Sequence, residues 1–216
     1  GLDELFDING FIKKSSVLVS GEPGAGKSII AMQYIYNGAR LYGEGGVLVT
    51  SEQSVEKVRE IAKSLGMDFT EFEKSGLIKI IKVPIARGAE MLPEKLDDAI
   101  KDNNVSRLAI DSLTPFEFLA SDIREFRIKV LSFVEQVARH NITMLVTAEK
   151  KKTDFESVEF SAEDFLFDGL ILMGRLRSSA GFERVLGVIK MRGTAHSEEL
   201  HPVEISKTGL VLKTVE

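Results

Sequence analysis

The chain has 216 residues, a formal net charge of −5, 44% hydrophobic and 28% charged residues, a composition that fits one globular domain over residues 1–216 and removes disordered and collagen-like classes. It holds no cysteine, so disulfides, thiolate zinc sites, iron–sulfur clusters and cysteine nucleophiles are excluded. Three scattered histidines (His140, His196 and His201) leave little for a histidine-built metal site. 

Hydrophobic period switches between strand-like and helix-like along the chain, which predicts an α/β fold. A strand is expected over 16–20, followed by Gly21-Glu22-Pro23-Gly24-Ala25-Gly26-Lys27-Ser28, which matches G-x-x-x-x-G-K-[ST]. A helix follows from Ile29 within a helical stretch over 28–42, so the motif has the strand–loop–helix context a phosphate loop requires. The chemistry explains the spacing. Glycines let backbone N–H groups turn inward around phosphates, and the helix start adds its positive dipole end. Lys27 is expected on the β- and γ-phosphates, and Ser28 on Mg²⁺.

The next strand, 47–50, delivers Glu52 to the edge where the phosphate loop lies. A carboxylate there can orient water toward a γ-phosphate; the plainer alternative is a solvated acid opening the helix over 54–65. In that helix Val55, Val58, Ala62 and Leu65 form one stripe. A strand over 77–83 and a short helix starting at Pro93 come next. The apolar strand over 107–111 ends in Asp111, the shape of a Walker B element, placed either to hold Mg²⁺ or to cap the next turn. Asp122 with Glu125 three residues on opens a helix to His140, whose stripe is Ile123, Phe126, Val130, Phe133, Val134 and Val137. Strands over 142–148 and 170–173 complete a mostly parallel sheet flanked by helices. Strands over 184–191, 203–206 and 210–212 read as an antiparallel C-terminal extension.

Between strands 142–148 and 170–173, Lys150, Lys151 and Lys152 precede Phe155, a pattern able to meet single-stranded DNA through phosphates and stacking. The acidic balance of the chain favours a solvated loop instead. Near the end, Lys190 and Arg192 alternate along one strand and so share a face, where two cations can bracket phosphate oxygens. A solvated strand end is the bland alternative.

Taken together these residues resemble the KaiC family, a branch of the RecA-like P-loop ATPases. The resemblance covers nearly the whole chain. It rests on Gly1-Leu2-Asp3-Glu4-Leu5 with Gly10-Phe11, on the phosphate loop continuing to Gly38, and on Ala62-Lys63-Ser64-Leu65-Gly66-Met67-Asp68. Further matches are Asp111-Ser112-Leu113-Thr114 and, most specifically, Lys190-Met191-Arg192-Gly193-Thr194-Ala195-His196. The resemblance implies an ATPase of RecA-like fold, assembled as a homo-oligomeric ring, commonly a hexamer, with ATP and Mg²⁺ between neighbours and a regulatory or signalling role. Glu52 would be the water-polarising acid. Lys190 and Arg192 would reach the neighbour's γ-phosphate, Met191, Thr194 and His196 would line its nucleotide, and Ser64 would touch the chain's own nucleotide.

Two departures stand out. The family pairs two glutamates where this chain has Glu52 and Gln53, so a weakly hydrolysing, nucleotide-gated binding module is a further possibility. Asp7-Ile8-Asn9-Gly10 replaces a more glycine-rich version near the interface. The family's clock member carries two such domains and phosphorylates itself; this chain has one, and nothing in it marks clock function or autophosphorylation. A recombinase-paralogue role on DNA is the alternative function, and the macromolecular partner is unknown. The longest apolar runs fall far below the roughly 18 residues of a membrane helix, and no signal-peptide pattern opens the chain, so a cytoplasmic protein is expected. Because the chain starts at Gly1 rather than Met, flanking segments are expected outside it.

Overall fold

A computed structural model describes residues 1–84, 96, 98–100, 104–117, 119–158, 160, 161, 163–178 and 181–213. In chain order the elements are β1 (Ser16–Gly21), α1 (Lys27–Tyr42), β2 (Gly45–Thr50), α2 (Val55–Ser64), α3 (Thr70–Lys74), β3 (Ile78–Lys82) and β4 (Val105–Asp111). There follow α4 (Thr114–Glu117), α5 (Ile123–Arg139), β5 (Thr143–Glu149), β6 (Gly169–Ser178), β7 (Gly181–Met191), β8 (Leu200–Ser206) and β9 (Gly209–Leu212). The strands form one sheet in the order β3-β2-β4-β5-β1-β6-β7-β8-β9. The first six are parallel and the last three antiparallel, as the sequence predicts. The expected helix start at Pro93 lies outside the described residues.

The apolar strands lack polar alternation because both faces are covered. Val17 and Val19 of β1 enter one core cluster with Ile35 of α1 and Val58 and Ala62 of α2. Leu18, pointing the other way, enters a second cluster with Phe126, Val130 and Val137 of α5. At roughly 1.5–3 kcal/mol for each fully buried large apolar side chain, this alternation sets the register of the central strands. The α5 stripe holds with one exception: Ile123, in the first turn, is 46% exposed. Asp122 caps α5 by accepting from the N–H groups of Arg124 and Glu125, but Glu125 reaches back to Ser121 rather than to Asp122. Sequence periodicity does not reveal the single-turn helices α3 and α4, which are too short to show a period.

The antiparallel extension wraps back over α1. The Gln33 side chain accepts from Leu210 N–H (2.7 Å) and donates to Leu210 C=O (3.1 Å), pinning β9 to the helix. This brings Ile205 and Leu210 against the phosphate loop, where a Cβ on Gly26 would lie 2.9 Å from Leu210 Cδ1. Gln33→Ala removes both bonds and is expected to cost about 1–3 kcal/mol, read as a lower urea midpoint at unchanged m-value. An unshifted midpoint would show that β9 is held by other contacts.

Candidate functional site

The phosphate loop joins β1 to α1, and its backbone explains its glycines. Gly24 and Gly26 have φ of 76° and 114°, the left-handed region that L side chains avoid. Gly26 is the N-cap of α1, so the first N–H groups of the helix lack intrahelical acceptors and face the loop's end of the sheet. Lys27 is buried, and its ammonium donates to Gly21 C=O (2.8 Å) and Glu22 C=O (2.9 Å). Burial lowers its pKa, while the charges of Glu149, Asp111, Glu52 and Glu22 push it back up.

A cleft of about 230 Å³ opens beside this loop, lined by Gly24, Gly26, Lys27, Ser28 and Ile29 on one side. Glu52, Asp111, Ser112 and Glu149 form the other side. Asp111 Oδ1 accepts from Ser28 Oγ (3.1 Å) and Thr147 Oγ1 (2.7 Å), and burial raises its pKa despite these bonds. A hydroxyl and a carboxylate so paired suit Mg²⁺, which takes few protein ligands and completes its shell with water and phosphate oxygens. Among the described residues no cluster of three or more His, Cys, Asp or Glu offers a separate metal cage. Glu52 Oε1 accepts from Ser112 Oγ (2.8 Å), so the end of β4 steadies the acid delivered by β2. Gln53 does not line the cleft; its backbone N–H and C=O both bond Thr50 Oγ1.

Lys190 and Arg192 sit elsewhere. Gly21 pairs with Met173, midway along β6, whereas Gly169, the first residue of β6, pairs with Met191. Four residues at about 3.3 Å each put roughly 13 Å of strand between the two edges. The chain's own cations therefore lie at the edge of the sheet opposite its own phosphate loop. Arg192, largely exposed, lies 3.5 Å from Asp168 Oδ1. Burial lowers the Lys190 pKa and Arg192 repels its charge, opposed by Asp168 and Asp164. Thr194 and His196 follow on the same edge. His196 forms a β-bridge with Phe6, and its Nδ1 lies 3.0 Å from Ser197 C=O. Met191 differs: its side chain is buried in the core near Gly169, so only its backbone belongs to that edge. Ser64 is exposed, bonds Ile61 C=O (2.7 Å) within its own helix and does not line the cleft.

Two lysines of the run after β5 are paired. Lys150 forms a 2.7 Å ion pair with the fully buried Asp164, and Lys152 pairs with Asp154. Phe155 packs toward Gly174 and Gly187, where added Cβ atoms would lie 2.8 and 3.8 Å from its ring. Two of the groups that a DNA-stacking loop would present are thus taken up by the fold.

Several site residues are invisible to motif reading. Glu149 ends β5, the strand beside β1, and a survey of strand ends would have found it. Arg175 and Arg184, cross-strand partners on β6 and β7, donate to the loop carbonyls of Pro23 (2.8 Å) and Gly24 (3.1 Å). No sequence spacing announces that contact.

The sequence model of the family described as "ATPase: KaiC" matches residues 1–215. A UPF0273 protein of Aeropyrum pernix is 30% identical, over 98% of this chain and 90% of its own length. The circadian clock oscillator protein KaiC of Nostoc sp. is 26% identical over 90% of this chain; the match covers 39% of that protein, so the chain spans about two fifths of such relatives. Among solved structures, the KaiC-like protein PH0186 from Pyrococcus horikoshii OT3 superposes with a TM-score of 0.85 at 30% identity, covering 99% of this chain and 95% of that one. With this fold, this cleft and these matches, the chain belongs to the KaiC ATPase family.

Proposed function

We propose that the chain binds Mg·ATP in the cleft beside Gly21–Ser28 and hydrolyses it at sites shared between copies arranged in a ring, in a regulatory or signalling role toward another macromolecule. The observation that carries this reading is electrostatic. Among the described residues that line the cleft, Lys27 is the one cation, against three carboxylates, Glu52, Asp111 and Glu149; Arg175 and Arg184 are engaged with the loop carbonyls. A triphosphate entering it needs further positive charge, yet the chain's own Lys190 and Arg192 lie at the opposite edge of the sheet. A head-to-tail contact brings that edge of one copy to the cleft of the next, and such contacts close into rings.

Each group then has a task. The inward N–H groups of the loop and of the α1 start cradle the phosphates, with Lys27 turning from the loop carbonyls to the β- and γ-phosphates. Ser28 and Asp111 hold Mg²⁺, which when bound neutralises phosphate charge. Glu52, fixed by Ser112, orients water in line with the γ-phosphate, a positioning task for which the neighbouring Gln53 is not required. Lys190 and Arg192 of the adjacent copy stabilise charge developing on the transferred group, the arginine through its planar fork.

Lys27→Ala is expected to abolish turnover, and Glu52→Gln to lower kcat roughly a hundredfold with ATP binding retained; undiminished turnover in Glu52→Gln would remove that residue from the reaction. Mixing Lys27→Ala with Arg192→Ala chains should restore about a quarter of the wild-type rate, since a random ring pairs an intact loop with an intact arginine at about that share of interfaces. No recovery between normally assembled variants would contradict shared sites. Because burial raises the Asp111 pKa, its proton returns at higher pH than for an ordinary carboxylic acid. Mg-dependent ATP affinity should therefore weaken on acidification at a higher pH than an ordinary carboxylate would give, and Asp111→Asn should flatten that profile.

A further inference from the structure

One carboxylate beside the cationic edge has no task in hydrolysis as described above. Asp168 precedes β6 and is bonded on every side. Its N–H donates to Ser16 C=O (2.9 Å), and its Oδ2 accepts from both Ser16 N–H (2.9 Å) and Ser16 Oγ (3.0 Å). The Asp168 C=O accepts from Arg192 N–H (3.0 Å), and Oδ1 faces the Arg192 guanidinium at 3.5 Å. Asp168 is thus fastened to the start of β1, the strand whose other end opens the phosphate loop. It grips Arg192 through both backbone and side chain.

We infer that Asp168 is a positioning residue for the arginine that one copy supplies to its neighbour's nucleotide: through its C=O and its Oδ1 it sets Arg192. Without this anchor Arg192 would be a long flexible side chain on an exposed edge, and its ordering would have to be supplied at the moment of reaction. Held in advance, the guanidinium meets the γ-phosphate with its orientation already fixed, which is where proximity and orientation act on rate. Asp168 itself does not touch substrate.

This inference rests on the shared-site reading, and subunit mixing separates the two. The reference mixture is Lys27→Ala, which donates cations, with Arg192→Ala, which donates the loop. Asp168→Asn is the cleaner probe, because asparagine still accepts from Ser16 while losing the charge that faces Arg192. Placed in the Lys27→Ala chain, it should lower the restored kcat roughly ten- to hundredfold with KM for ATP unchanged. Placed in the Arg192→Ala chain, it should leave the restored rate at the reference level. Asp168→Glu, which keeps the charge, should recover part of the loss, and this keeps the test open if Asp168→Asn folds poorly. An equal loss in both placements, or a rise in KM alone, would make this carboxylate structural and overturn the inference. A rise in kcat would show that Asp168 withholds Arg192, and would also overturn it. Failure of the reference mixture itself would instead count against shared sites.

Discussion

Charge is the constraint on which the rest of the structure depends. A parallel sheet gathers its strand ends at one edge, so the strand carrying the phosphate loop is joined there by strands ending in Asp111, Glu149 and, one turn on, Glu52. Those acids can hold a metal and order a water, but they leave Lys27 outnumbered. Reversing chain direction after β6 sends β7 back to the opposite edge, and the basic pair goes with it. The phosphate loop and the basic pair thus lie at opposite edges of one sheet, and the shared-site proposal rests on that topology rather than on any surface patch.

The loop itself is supported from outside the cleft. Arg175 and Arg184 hold the carbonyls of Pro23 and Gly24, and the Glu22 carboxylate accepts from Thr153 N–H (2.9 Å). The β6–β7 hairpin and the segment after β5 thereby lock the loop's outer side and leave its N–H groups to the cleft. The opening segment does comparable work at the far edge: Asp7 N–H bonds Ala195 C=O, and Ser197 N–H bonds Leu5 C=O. The chain's first residues thus brace the loop that follows the cations. Asn9 supplies the left-handed turn (φ 53°) in a stretch with few glycines.

Much of this was legible in the sequence. The phosphate loop, the acid-ended strand at Asp111 and the alternation of strand and helix are local patterns, and local patterns survive reading one residue at a time. The antiparallel character of the sheet's tail was legible too, from glycines between apolar runs. What escaped is long-range. The Gln33–Leu210 clasp spans 177 residues, the Ser16–Asp168 contact 152, and Arg184 to Gly24 160; no period or spacing encodes such partners. Ile123 shows a different failure. It falls on the apolar stripe of α5, yet in the first turn its side chain is 46% exposed. Met191 shows a third: within the cationic signature its side chain is buried in the core beside Gly169.

ATP turnover per chain measured against protein concentration, with the mass of the species followed in parallel by analytical ultracentrifugation, tests the central claim most directly. Shared sites predict that specific activity rises with the fraction of assembled protein and vanishes where only single chains remain. A specific activity that stays constant down to concentrations at which the protein is wholly monomeric would contradict it.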